Sequence, residues 1–244
     1  MNLYRDQGIV LRTHKLGEAD RIVVLLTQGE GKVRAVAKGV RKTKSRFGGR
    51  LEPFSHVDLS LYRGRGDLDT VTQAEVIHSF RHLREAYDLV TAGAAMLEVV
   101  DQVAQEREAS LRLYLLVLRA LRALDAAPRD PSVVLDAFLL KLMALEGYRP
   151  ALGQCAICGG AGPFLRFSTA RGGAVCERCR TGEESVLDRG TILLLAELLA
   201  GDLDQVAAAA APAAVTRREA GTLVKSFVEY HLDRRLRSYP LVAR

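Results

Sequence analysis

Four cysteines stand as CAIC at 155–158 and CERC at 176–179, two C-x2-C pairs separated by 17 residues. That spacing falls in the window of zinc ribbons. Two thiolates three positions apart bend onto one ion through a tight turn, and Gly159-Gly160 supplies the backbone freedom for it. The intervening FLRFSTARGGAVC is expected to form a hairpin, turning at Arg171-Gly172-Gly173, that brings the second pair to the first. Cys155, Cys158, Cys176 and Cys179 fill a tetrahedral Zn2+ shell and leave no position for water, so the expected role is structural and not catalytic. Iron–sulfur and redox-switch chemistry are the competing readings of the same residues. Metal binding of this kind contributes on the order of 10 kcal/mol toward folding a segment too small for its own core. Arg166, Arg171, Arg178 and Arg180 lie on this insert. They either touch a polyanion or keep the insert in solution.

The second concentration of chemistry is charge. KGVRKTKSRFGGR, residues 38–50, holds six Lys or Arg and no acid: Lys38, Arg41, Lys42, Lys44, Arg46 and Arg50. Residues 1–80 carry 14 basic and 9 acidic side chains against 21 and 20 in residues 81–244, so the net charge of +6 sits mostly in the first third. A localised basic face suits a polyanion such as nucleic acid or an anionic membrane surface. A solvated basic loop is the plain alternative. Aromatic residues make up only 6%, with no Trp, so a broad base-stacking platform is not the expected mode. Phe47, Phe54 and Tyr62 are the few candidates, and each fits a core position equally well. Cations without aromatic partners bind phosphates and ignore base identity.

Catalytic patterns are missing. Gly29-Glu-Gly31-Lys32 invites a phosphate-loop reading, but Leu26 stands where the first glycine belongs and Val33 where Ser or Thr belongs. The five histidines are dispersed, with no H-E-x-x-H, and His56 and His78 fit strand positions. Asp67 and Asp69 could hold Mg2+ in a phosphoesterase, although a lone D-x-D in a turn is ordinary turn chemistry. The expectation is a protein without catalytic activity.

The elements that must position these groups are legible in the residue pattern. Short β-branched stretches occur at 8–13, 21–28, 32–39, 56–62 and 68–77, separated by LGEAD, GEG, the basic stretch and RGRGD. Five strands at this spacing predict a small closed barrel. With its basic loop between the third and fourth strands, this is an oligonucleotide/oligosaccharide-binding (OB) layout. From residue 81 the spacing turns helical, over 81–107 and 111–124. Asp130-Pro131 reads as a cap followed by proline at the first helical position, in a helix ending near Gly147. Thr216-Arg-Arg-Glu219 has capping-box spacing at the head of a last helix. VAAAAAPAA at 206–214 reads as a frayed helix end and linker. The expected fold is α+β: a five-stranded OB-type barrel over 1–80, then a helical domain over 81–244, interrupted by a zinc-ribbon module at 151–182. TILLLAELLA at 191–200 is too short to span a bilayer, and MNLYRDQG has no export signal, so a cytoplasmic chain is expected.

AKGVRKTKSRFGGRLEPFSHVDLSL, then LDTVTQAEVI, then EGYRPALGQCAICG with the second cysteine pair, resembles the RecO family of bacterial recombination mediators. The likeness spans barrel, helices and inserted module in that order; an Ala-rich stretch at 206–214 and an Arg-rich composition depart from it. Some members lack the cysteines, and here all four are present. The resemblance implies a non-enzymatic DNA-repair protein that binds single- and double-stranded DNA and anneals complementary strands. With RecR it would help RecA displace the single-strand-binding protein SSB, in a nucleoid-associated location. Carried over by position, Lys38, Arg41, Lys42, Lys44, Arg46 and Arg50 supply phosphate contacts. Arg12, Lys15, Lys32, Arg34, Arg171, Arg178 and Arg180 are weaker candidates, and the four cysteines are the zinc ligands. Arg119, Arg122 and Lys141 on the helices are offered to the acidic tail of SSB, or else lie on solvated faces. The competing function is a zinc-ribbon RNA-binding accessory protein of transcription or translation.

Overall fold

The computed structural model describes residues 3–64 and 66–242. Met1, Asn2, Arg65, Ala243 and Arg244 lie outside the described residues, and with them the start of the MNLYRDQG opening and the middle of the RGRGD turn.

Five strands form where the β-branched stretches predict them: β1 (Leu3–Leu16), β2 (Asp20–Thr27), β3 (Gly31–Ala37), β4 (His56–Tyr62) and β5 (Asp69–His78). They close into a barrel in the order β1-β2-β3-β5-β4. In β3 every second residue from Gly31 to Ala37 is buried, as the two-residue side-chain period of a strand requires. β1 serves two neighbours, pairing with β4 from Leu3 to Ile9 and with β2 from Gly8 to Leu16. Its register with β2 shifts between Val10 and Arg12. Leu11 is therefore an extra residue, a bulge that bends the strand and lets Ile9, Val10 and Leu11 all be buried.

The seam between β3 and β5 is parallel and short, with Ala35 opposite Asp69 and Val36 opposite Thr70. Residues 105–107 cover the N-terminal half of β3. The Lys32 N–H donates to the Gln105 carbonyl at 3.2 Å, and the Arg107 N–H donates to the Lys32 carbonyl at 3.1 Å. The barrel core joins Val10, Val23, Leu25, Val57, Leu59, Leu61 and Val71 to Phe47 and Leu51. Phe47 comes from the basic stretch and Leu51 follows it directly.

Seven helices follow among the described residues: α1 (Arg81–Glu85), α2 (Tyr87–Val103), α3 (Leu111–Asp125), α4 (Pro131–Leu145), α5 (Arg189–Ala200), α6 (Leu203–Ala208) and α7 (Ala214–Leu232). α4 starts as predicted. Pro131 opens it, and the Asp130 carboxylate accepts from the Ser132 N–H at 3.1 Å. Its residues 131–140 are buried throughout, which marks a helix packed on all sides. α7 differs from expectation, because it starts at Ala214 with no side-chain cap. Glu219 does not reach back to Thr216; it accepts from the Asp188 N–H at 3.1 Å and from the Thr191 hydroxyl, at the head of α5. Capping-box spacing was present without the geometry, since a neighbouring helix offered better donors. Between α4 and α5, β6 (Arg166–Ser168), β7 (Gly173–Ala174) and β8 (Ser185–Val186) make a small sheet in the order β7-β6-β8.

Two compact units result: residues 1–84 with 97–122, and residues 85–96 with 123–244, the division passing through α2 and α3. Within the first, Tyr114 of α3 and His56 of β4 share a buried hydrogen bond of 2.7 Å. No helix among the described residues is long and apolar enough to cross a membrane.

Candidate nucleic-acid interface and metal centre

The basic stretch is a built loop between β3 and β4. At its start the Gly39 N–H donates to the Asp20 carboxylate at 2.7 Å, and the Arg41 N–H donates to the Ala19 carbonyl at 2.9 Å. Gly39 sits at φ +68°, a conformation that glycine reaches without strain. In its middle Phe47 and Leu51 enter the barrel core, 1% and 2% exposed, and each such side chain stabilises its placement by roughly 2–3 kcal/mol. At its end the Phe54 N–H donates to the Val10 carbonyl at 3.0 Å, and the Val10 N–H donates to the Ser55 carbonyl at 2.9 Å. Glu52, the acid just beyond, is taken by Arg21 at 2.7 Å.

Lys38, Arg41, Lys42, Lys44, Arg46 and Arg50 are all exposed. Among the described residues none of the six takes part in an ion pair; Arg46 lies over the Phe47 ring at 4.8 Å, and Arg50 donates to the Arg46 carbonyl at 2.7 Å. Arg46, Phe47 and Arg50 border a concavity whose other side is Thr72, Gln73, Ala74 and Glu75 of β5. Phe47 and Phe54 are core residues here, whereas Tyr62 is 42% exposed.

The other barrel cations are arranged differently. Arg12 pairs with Asp101 at 2.6 Å, Lys32 donates to the Asp101 carbonyl at 2.7 Å, and Arg34 lies 3.8 Å from Glu106. Lys15 is exposed on β1. Asp69 of the Asp67-x-Asp69 turn is fully buried and already filled with donors: Arg107 at 2.8 Å, the Tyr4 hydroxyl at 2.5 Å and the Gly64 N–H at 3.2 Å. Burial pushes the Asp69 carboxyl up, and these donors outweigh it and hold it below the usual carboxylate range. Burial and Asp69 push the Tyr4 hydroxyl up to about 12. This aspartate ties the barrel together and has no room for a cation. Lys141 donates to the Leu199 carbonyl at 2.9 Å, while Arg119 and Arg122 are exposed on α3.

The cysteines converge as their spacing predicts. In the first knuckle the Gly159 N–H donates to the Cys155 carbonyl at 2.9 Å, and the Cys155 N–H donates to the Gly160 carbonyl at 2.8 Å. The second knuckle is a single 3-10 turn at Glu177–Cys179. β6 and β7 join the knuckles through the turn at 169–172, which starts two residues before the expected 171–173 and leaves Gly173 in the strand, because Ser168 pairs with Gly173. All four Sγ atoms lie within 4.8 Å of one another, with Cys158 and Cys176 at 3.8 Å. A tetrahedral S4 shell with bonds of about 2.3 Å has edges of about 3.8 Å, so the clamp fits a metal ion.

The electrostatics ask for one. Backbone N–H groups of Cys158, Cys176 and Ile157 hold the Cys155 thiol down to about 6, while its sulfur neighbours push Cys179 up to about 12. Four crowded sulfurs cannot all be thiolates without a cation. Around the clamp, Glu177 pairs with Arg166 and Arg180, each at 3.1 Å. Arg171 and Arg178 are exposed without an ion pair among the described residues. Arg107 was missed in the sequence, since nothing near residue 107 signals a partner 38 positions away. Asp20, the latch of the basic loop, was missed too; its place beside a tight turn was the available sign.

These parts define a class, an OB-barrel protein that joins a cationic β3–β4 loop to helices bearing a four-cysteine module able to hold a metal ion. Residues 1–80 match the family described as Recombination protein O N terminal, and residues 84–240 match Recombination protein O C terminal. The chain belongs to the Recombination protein O family, and its role lies in DNA repair and recombination. Among its relatives, the DNA repair protein RecO of Nocardioides sp. is 50% identical over 247 residues, covering 99% of this chain and 100% of the relative. The proteins of the same name from Frankia casuarinae and Thermobifida fusca are 48% and 47% identical over 246 residues, with full coverage of both chains in each case.

Proposed function

We propose that the protein is a non-enzymatic recombination mediator that grips DNA phosphates with Lys38, Arg41, Lys42, Lys44, Arg46 and Arg50. The observation that carries this is a loop pinned at both ends and by Phe47, displaying six cations that no carboxylate of the described residues neutralises. Such a surface binds single and double strands alike and leaves base edges free. Free edges are what annealing of complementary strands needs. By the same reading the protein works with RecR to help load RecA on SSB-coated strands, and the acidic SSB tail is one of its partners. Residues 1–80 serve as the DNA-binding domain and 81–244 as the helical platform. The module at 151–182 is held by Zn2+ on Cys155, Cys158, Cys176 and Cys179, and the ion supplies folding energy and no chemistry. Arg12, Lys32 and Arg34 serve mainly as struts to residues 101–106 and Arg180 pairs with Glu177, while Lys15, Arg171 and Arg178 stay available to DNA.

The test is charge reversal at Lys38, Arg41, Lys42 and Arg46. Single-strand affinity should fall by more than tenfold, and its slope against log salt, near −3.5 for about five phosphates, should flatten by about 2.8. Unchanged affinity and slope would defeat the reading. Competition between RNA and DNA of one sequence separates it from an RNA-binding accessory role.

A further inference from the structure

A second concavity lies in the unit that carries the cysteines, lined by Tyr148, Arg149, Gln154 and Arg171 together with Phe227 and His231 of α7, and by no Asp or Glu. Arg149 and Arg171 are exposed, and neither takes part in an ion pair among the described residues; the acid of the module, Glu177, is taken by Arg166 and Arg180. The Tyr148 ring stacks on His231, with centroids 4.7 Å apart and planes tilted by 30°. His231 is wedged edge-on by Phe227 at 4.4 Å and by Tyr230 at 5.2 Å. Tyr148 is thus braced from one side, yet 43% of it is exposed. A braced ring with open surface thus stands beside two guanidinium groups that have no ion pair among the described residues. The mouth is clear as well. Gly147, Gly159 and Gly172 line it at φ +93°, +70° and +72°, and a Cβ on any of them would meet nothing within 4 Å.

We propose that this concavity takes one unpaired nucleobase of a single-stranded nucleic acid, stacked on Tyr148, with the flanking phosphates on Arg149 and Arg171. Stacking on an aromatic side chain tolerates every base, because each has a π-face. In a duplex the bases are already stacked on one another, so Tyr148 gains a partner only where a strand is open. The inference rests on the DNA-binding reading above and adds strandedness to it. The barrel loop holds any phosphate chain, and this site distinguishes an open strand from a paired one.

The experiment measures binding of fluorescent oligothymidylate and of a blunt duplex of equal length to the metal-loaded full chain. Tyr148→Ala should weaken oligothymidylate binding roughly 5- to 150-fold, with duplex affinity changed less than twofold. Tyr148→Phe should restore single-strand affinity. Arg149→Gln with Arg171→Gln should flatten the single-strand salt slope by about 1.4. Photocrosslinking of 4-thiothymidine oligonucleotides should mark Tyr148 or its neighbours in the wild type. Equal single-strand affinity in Tyr148→Ala, equal losses on both DNA forms, or crosslinks confined to residues 38–50 would each overturn the site while leaving the loop standing. If the wild type binds neither DNA form, both readings fall together.

Discussion

The Arg107 guanidinium meets the fully buried carboxylate of Asp69 at 2.8 Å, at the short parallel seam where β5 closes the barrel against β3. Arg107 sits in the connection between α2 and α3, so this ion pair fastens that connection to the barrel. Truncating one partner of such a pair strands the other charge away from water. Arg107→Ala should lower the stability of the chain by about 3 kcal/mol, read as a shift in urea midpoint with the slope unchanged. Loss below 0.5 kcal/mol would mean that solvent reaches Asp69 freely.

Acid should act through His56. Its ring is 3% exposed, and burial first, then the charges of Arg122 and His78, lower it from 6.5 to about 4. The neutral ring is the one the fold prefers. Its contribution is therefore complete above pH 6.5 and is lost as pH falls toward 4, where the folded state must also protonate. Urea titrations at pH 7 and pH 4.5 should differ by a few kcal/mol, and His56→Gln should remove a large part of that difference while leaving the contribution of the carboxylates in place.

Gly31 should be intolerant of any side chain. It sits at φ +70°, and a Cβ there would lie 2.0 Å from the Glu108 carbonyl oxygen. Gly31→Ala is expected to cost about 2–4 kcal/mol, since both the backbone conformation and the covering segment must give way. Gly48→Ala is the control. It has φ +53° but open space around it, and its cost should stay near 1 kcal/mol.

Phe47 should matter to DNA without touching it. Phe47→Ala empties a site that is 1% exposed, with an expected loss of about 3–4 kcal/mol. It also unpins the middle of the cationic loop. Oligonucleotide affinity should fall although no charge has changed, and the salt slope should stay within about 0.5 of the wild-type value. A steep change in slope would instead place Phe47 among the contacts.

Metal removal should act locally. One divalent ion per chain is expected, and Cys158→Ser should abolish its retention. Affinity for the ion should decline with acid, because four sulfurs must shed their protons to bind it. Chelation should expose all four thiols to a thiol reagent while the helical signal of α4 persists.

How much of this was readable beforehand depends on the range of the cause. The strands were legible because each is a β-branched run bounded by its own turn residues, and α4 because Asp130-Pro131 states its start within two positions. The thiol clamp was legible because cysteine spacing alone limits what two knuckles can reach. The Thr216-to-Glu219 spacing misled, since a cap depends on which donors surround the glutamate, and those belong to residues 188 and 191. Arg12, Lys32 and Arg34 looked as available as Lys38. Only the fold brings Asp101 and Glu106 to them. Tyr148 carried no sign at all, because its brace, His231, is 83 residues away.

Residues 105–107 lie on the bare N-terminal half of β3. A ribosome that has released only the first eighty residues has therefore made every stave of the barrel and not yet its clasp. Until Arg107 emerges, the nascent chain carries an open strand edge of the kind that invites pairing with a neighbour.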